Sequence, residues 1–200
     1  MRPDLDIVAR MVGNGVSVLD LGCGDGALLE TLITRQDCTG LGVERETEDF
    51  HACIARGVPV THGDLEQELG DITDGAFDCA VLSLTLQAVR HPEQVLSEMK
   101  RVARRQIVSL PNFGHWRLRT GLLLRGRMPT TPTLPYQWFD TPNIHLCTLR
   151  DFEELLRTVD LSVDRMVPVG ADGRRTGRHT ALAPNLLAER AVYALSADPA

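Results

Sequence analysis

No run in this chain approaches the roughly 18 consecutive apolar residues that a membrane span requires, and the N-terminus shows no basic, apolar, then small-residue leader. No membrane partner and a cytoplasmic location are therefore expected. Cysteine lacks pattern: Cys23, Cys38, Cys53, Cys79 and Cys147 form no C-x-x-C pair. Five cannot all pair among themselves, so they read as reduced, mostly buried side chains; neither a disulfide frame nor a metal site is expected. Aromatics make up only 4% of the chain, yet five of the nine fall within 112–148. Acid is missing from one stretch: residues 100–127 hold eight bases and no carboxylate, against 27 acids and 13 bases elsewhere. A net charge of −6 with a single basic stripe and no recognisable module argues against nucleic acid as a partner. What is present, 200 residues with 43% hydrophobic content, is enough for one globular domain over 1–200.

The chain is organised around Val16-Ser17-Val18-Leu19-Asp20-Leu21-Gly22-Cys23-Gly24-Asp25-Gly26. A short apolar run reads as a buried parallel strand, three alternating glycines as a tight turn, and Ala27 to Leu32 as the start of a helix. Such a loop brings backbone N–H groups and the positive end of a helix to a small-molecule ligand. Gly22, Gly24 and Ala27 also satisfy the dinucleotide fingerprint, so glycine alone does not choose the ligand. Asp20 does, because a pyrophosphate beside it and Asp25 would meet two further anions. S-adenosylmethionine carries an ammonium and a sulfonium and no phosphate, which favours the methyl donor over NAD.

Further acids fall where that reading needs them. Glu44 ends a second short strand about 20 residues after the loop, the position of a carboxylate that takes ribose hydroxyls. Asp64 follows a third strand and is placed to accept from an adenine amino group, with Leu65 against the ring; a helix cap before Glu66 is the alternative. Cys23 and Gly26 in the loop, and Ser83 after the fourth strand, complete the expected cofactor-binding set.

Strands are expected at 16–21, 39–44, 58–62, 77–82, 106–110, 161–169 and 191–195. Helices are expected near the N-terminus, at 26–35 and 47–56, from His91-Pro92-Glu93, over 115–127 and from a Thr148 cap. Alternation of this kind gives right-handed crossovers and a parallel sheet between helices. Residues 112–148 read as an insertion or lid, stiffened by Pro129, Pro132, Pro135 and Pro142. Within it His115 and His145 are the candidate general bases, although a buried histidine that only hydrogen-bonds is the commoner case.

Val18 to Gly26, Glu44, Gly63-Asp64-Leu65 and Phe77 to Leu82 resemble, in order, the motifs of class I S-adenosylmethionine-dependent methyltransferases. Leu84 to Val89, Pro111-Asn112-Phe113-Gly114-His115-Trp116, Leu134-Pro135-Tyr136-Gln137-Trp138 and Asp140 to Thr148 are similar to the MetW family of methionine biosynthesis proteins. The resemblance covers nearly the whole chain. It implies an α/β Rossmann-like class I methyltransferase fold with a mostly parallel seven-stranded sheet flanked by helices. It also implies S-adenosylmethionine as cofactor and a homoserine O-acetyltransferase or succinyltransferase as partner, contacted by the insertion. Ser83-Leu84-Thr85-Leu86-Gln87 stands where enzymes that methylate amide or adenine nitrogens carry an Asn/Asp-Pro-Pro-aromatic motif, which argues against those acceptors. An active methyltransferase on another small acceptor is the alternative function.

Overall fold

The computed structural model describes residues 2–131 and 134–197. Helix α1 (Leu5–Val12) leads into β1 (Ser17–Leu21), α2 (Ala27–Gln36), β2 (Thr39–Glu44), α3 (Thr47–Ala55) and β3 (Val60–His62). A short α4 (Leu65–Glu68) precedes β4 (Phe77–Ser83), α5 (Pro92–Val102) and β5 (Ala103–Pro111). Then come α6 (Trp116–Arg125), α7 (Leu149–Thr158), β6 (Leu161–Val169), α8 (Arg178–Leu182), α9 (Pro184–Leu187) and β7 (Arg190–Ala197).

The seven strands form one sheet in the order 3-2-1-4-5-7-6. Strands β1 to β5 are parallel, while β7 runs antiparallel to both β5 and β6. The expected mostly parallel sheet is what forms, closed at one edge by a hairpin-like pair. Because strand side chains alternate, each strand feeds two cores. Leu19, Leu21, Ala80, Leu82, Val108 and Leu110 pack under α5 and α7, with Met99, Phe152 and Tyr193 among the fully buried groups. Val18, Cys79, Val81 and Ile107 face the opposite layer, where α1 supplies Val8 and Val12 and α2 supplies Leu28, Leu29 and Leu32. Asp20 shares the parity of Val18, so its carboxylate is carried toward the α1 and α2 side.

Several boundaries depart from expectation for local reasons. β5 starts at Ala103 rather than Gln106, because Arg104 and Arg105 are exposed on an outer part of the strand where no apolar alternation marks it. β3 begins at Val60, after Pro59, whose carbonyl still accepts from Gly42 N–H at 2.9 Å. Helix α6 starts after His115 and is ended by Gly126 in the left-handed region at φ 60°, shortening the expected 115–127 span. α4, α8 and α9 have four or five residues each, too few for a helical period to show in sequence. Thr148 caps α7 as expected, its Oγ1 accepting from Asp151 N–H while Asp151 Oδ2 accepts from Thr148 N–H at 2.8 Å.

Residues 112–148 connect β5 to α7 and are tied down at both ends. Asn112 Nδ2 donates to Ala188 O at 2.7 Å, and Phe113 N–H to Cys147 O at 3.1 Å. Ile144 and His145 both donate to Gln87 O, at 2.8 and 3.0 Å, bringing the returning chain over the segment that follows β4. Pro132, one of the prolines expected to stiffen this segment, lies outside the described residues.

Candidate functional site

The strand order turns at β1 and β4, with 3-2 on one side and 5-7-6 on the other, so the C-terminal ends of these two strands open a crevice. The glycine loop after β1 fills one wall. Gly22 has φ 68°, and a β-carbon there would lie 2.8 Å from Thr85 Oγ1 in the turn after β4, so conformation and close approach both demand glycine. The opposite wall begins with Leu84 at φ 58°, a conformation that leucine adopts only where its surroundings impose it. Here Leu84 N–H donates to Ser109 O at 2.9 Å and its carbonyl accepts from Gln87 Nε2 at 2.6 Å.

Glu44 holds the loop in shape. Its Oε2 accepts from Gly24 N–H at 2.7 Å, and its Oε1 accepts from the N–H groups of Arg45 and Glu46, both at 2.8 Å. A buried carboxyl group with three backbone donors fixes two loops relative to each other. Cys53 on α3 adds a further tie, its thiol donating to Gly24 O at 3.0 Å.

Two adjoining cavities flank the loop. One, of about 510 Å³, is lined by Asp20, Gly22, Cys23 and Gly24 together with Arg2 and Asp49. The other, of about 560 Å³, is lined by Glu44, Asp64 and Leu65 together with Leu84, Gln87, Val89 and Ile144. Gly22, Gly24, Asp49 and Ser83 border both. Of the nine expected cofactor residues, eight line these cavities. Gly26 does not; it caps α2 at φ 75° and would strike Cys53 Sγ if it carried a β-carbon, so its part is to let the loop enter the helix.

Seven carboxylates line the two cavities against three guanidiniums, making the cleft electronegative. Asp20 is 2% exposed and its Oδ1 has no hydrogen-bond partner among the described residues. Burial, opposed by Arg2 and reinforced by Glu44, pushes its carboxyl from 3.8 up to about 7. Burial and the surrounding acids also push Asp49 up. Burial, with Asp20 next in weight, holds the Cys23 thiol protonated, so it is a lining group rather than a nucleophile. Asp64 Oδ1 accepts from Glu66 N–H at 3.0 Å, so the capping role is present, and Oδ2 is left for a ligand. Gln87 Oε1 is buried without a partner among the described residues.

The two histidines sit elsewhere. His115 is buried as the cap of α6, its Nδ1 accepting from Arg117 N–H at 3.4 Å, with burial holding its pKa below the usual value. His145 Nε2 lies 3.4 Å from Arg90 O, and its ring borders a small apolar cavity with Leu86, Leu110 and Phe152. Neither lines the two cavities beside the glycine loop. Among the described residues no cluster of three or more metal-ligating side chains forms, and no helix is long and apolar enough to cross a membrane.

Sequence reasoning missed Arg2, Asp49, Leu84 and Ile144. Arg2 reaches from the N-terminus to donate from Nη2 to Ser83 Oγ at 3.1 Å, a contact across 81 residues that no local pattern announces. Asp49 had a usable signal, since it lies in the first turn of the helix that follows Glu44.

With this geometry in place, comparison with known proteins is decisive. The family profile described as methionine biosynthesis protein MetW matches residues 2–195. The chain belongs to the MetW family. It is 36% identical over 204 residues to the bifunctional methionine biosynthesis protein MetXA/MetW of Rhodopirellula baltica. That match takes in 97% of this chain but only 32% of the relative, so the chain spans about a third of that protein's length. Among solved structures, a SAM-dependent methyltransferase of Thermotoga maritima, a possible histamine N-methyltransferase, superimposes with a TM-score of 0.68 at 16% identity. The match covers 97% of this chain and 87% of that one. The [4+2]-cyclase SpnF superimposes with a TM-score of 0.69 at 18% identity, covering 98% and 81%. These likenesses establish the class I methyltransferase fold, and the cyclase is a reminder that the fold alone does not name a reaction.

Proposed function

We propose that this MetW-family protein binds S-adenosylmethionine in the crevice between the glycine loop and the turn after β4, and acts with a homoserine O-acyltransferase in methionine biosynthesis. The observation that carries the ligand is Asp20: a buried carboxyl with an unpartnered oxygen, in an electronegative cleft, is satisfied by a cation and opposed by a pyrophosphate. In this reading Asp20 takes the ammonium end of the ligand, and Gly22, Cys23, Gly24 and Ser83 line its passage through the crevice. Glu44 keeps lone pairs for the ribose hydroxyls while holding Gly24. Asp64 receives the adenine amino group through its second oxygen, and Leu65 packs on the ring. When bound, the cofactor supplies an electrophilic methyl group. Of the expected 112–148 lid, the returning end acts as the cover of the site, because Asn143 and Ile144 border the Glu44 cavity while Leu123 and Trp138 do not.

The partner rests on the MetXA/MetW relative, in which both named parts share one polypeptide. Methyl transfer to a small acceptor, with His115 or His145 as base, is less well supported, since neither ring borders the crevice. Isothermal titration with S-adenosylmethionine and with NAD tests the ligand. Saturable binding of the first and none of the second is expected; tight NAD binding would contradict the reading. Measuring homoserine acylation by the purified acyltransferase with and without this protein tests the role, the expected result being a change in rate.

A further inference from the structure

Fifteen large apolar side chains are exposed among the described residues, and ten of them lie between Trp116 and Leu146. Leu118 is the one side chain of α6 that is buried; Leu122, Leu123 and Leu124 follow in succession and point outward, the last two 83% and 81% exposed. Successive helical residues are about 100° apart, so three in a row cover more than half the helix circumference, which packing against this chain alone does not require. Beyond the helix, Pro129 lies close to Gly121 of α6 and lines a cavity with Tyr136 and Trp138; there Trp138 and Phe139 are 74% and 70% exposed and pack edge to face on each other at 5.7 Å rather than into the core.

The electrostatics of this face are one-sided. From 113 to 146 the chain has four arginines and a single acid, Asp140, within a protein of net charge −6. Arg117 lies 3.7 Å from Glu189, while Arg125 and Arg127 have no ion-pair partner among the described residues. Exposed tryptophan, aromatic and arginine side chains are the types that dominate binding energy at protein interfaces. The face also adjoins the crevice, since Asn143 and Ile144 border both the Glu44 cavity and an aromatic-walled cavity of about 220 Å³ that includes Tyr136 and Trp138.

We infer that the outer face of α6, continued by Trp138 and Phe139, is the docking surface for the homoserine O-acyltransferase, whose matching patch is apolar with an acidic rim. This rests on the partner proposed above. The occupant follows from two observations: unpaired arginines call for acids on the other side, and the R. baltica relative joins a MetXA part and a MetW part in one chain, holding them at high effective concentration.

The test uses the whole protein and purified homoserine O-acetyltransferase from the same organism, with affinity measured by biolayer interferometry. The wild type is expected to bind, more weakly as salt rises. Leu123→Glu combined with Trp138→Glu is expected to weaken binding by at least ~30-fold, the size of a hot-spot loss. Leu182→Glu, an equally exposed apolar site on α8, is the control and should change it less than about threefold. Melting temperature and S-adenosylmethionine affinity should be unchanged from wild type in both variants, which separates lost docking from misfolding. Equal binding by wild type and double variant would overturn this face while leaving the partner in place. No binding by the wild type would overturn the partner and this inference together. If instead the wild type bound phosphatidylglycerol vesicles, the double variant lost that, and neither bound the enzyme, the face would belong to a membrane and the inference would fail.

Discussion

Around Gly22 and Glu44, almost every group is answered from within the chain, whereas along α6 and residues 136–146 very little is. The glycine loop is held by Glu44 through three backbone donors, by Cys53 through a carbonyl, and by Thr85 through close contact. Asp20 Oδ1 and Gln87 Oε1 are the buried side-chain exceptions at the crevice. The α6 face leaves leucines, a tryptophan and two arginines to solvent. One region is finished except for two buried acceptors, and the other is unfinished over a broad apolar area. That difference fits a rigid small-molecule site beside a surface completed by another protein.

The comparison breaks most readily at Glu44. Replacing it in Glu44→Ala leaves three N–H groups without their acceptor, and about 3 kcal/mol of stability should go with them. That corresponds to a fall in melting temperature of roughly 6–12 °C by scanning fluorimetry, accompanied by loss of detectable S-adenosylmethionine binding. Gly22→Ala comes next. Its left-handed φ costs about 1–2 kcal/mol for any other residue, and the added methyl displaces Thr85. The expected result is a smaller thermal shift with at least tenfold weaker ligand binding, and unchanged ligand affinity would show that the loop does not touch the ligand.

Proton linkage sharpens the ligand side. The folded-state pKa of Asp20 lies near 7 against 3.8, so folding retains a proton there, and this carboxyl makes the unliganded protein less stable as pH rises from about 4 to 7. A cation bound beside Asp20 favours its ionised form, so affinity rises with pH over the same window and levels off above it. Between about pH 6 and pH 7.5 the gain should approach tenfold for one fully coupled proton. The smallest effect is expected on the other region. Leu123→Ser with Leu124→Ser removes exposed apolar surface only, and stability should stay within about 0.5 kcal/mol, checked by urea unfolding. A large loss would mean that α6 is part of the core after all.

The sheet, its glycine loop and the eight candidates that line the cavities were readable because each depends on neighbours in sequence: a short apolar run from Val16 to Leu21, glycines at alternate positions, and acids at or just beyond the ends of β1, β2 and β3. Leu84 was not readable, since nothing in a leucine announces a positive φ; the turn is imposed by Ser109 and Gln87. Arg2 depends on a contact made only after folding. Glu44 shows the same limit in another way. Its position made it a candidate for the ribose hydroxyls, while its three backbone donors, which make it the loop's clamp, emerge only when the loop and β2 are side by side. His115 looked like a base because of its type and was placed by the fold as a cap.

The most direct test of the central claim is calorimetric titration of S-adenosylmethionine into wild type and Asp20→Asn at about pH 6 and pH 7.5. The account predicts that wild-type affinity rises toward tenfold between the two, while Asp20→Asn binds weakly and equally at both. Wild-type affinity that does not change with pH, or an Asp20→Asn protein that binds as tightly as wild type, would contradict it, because the ligand would then owe nothing to the buried carboxyl.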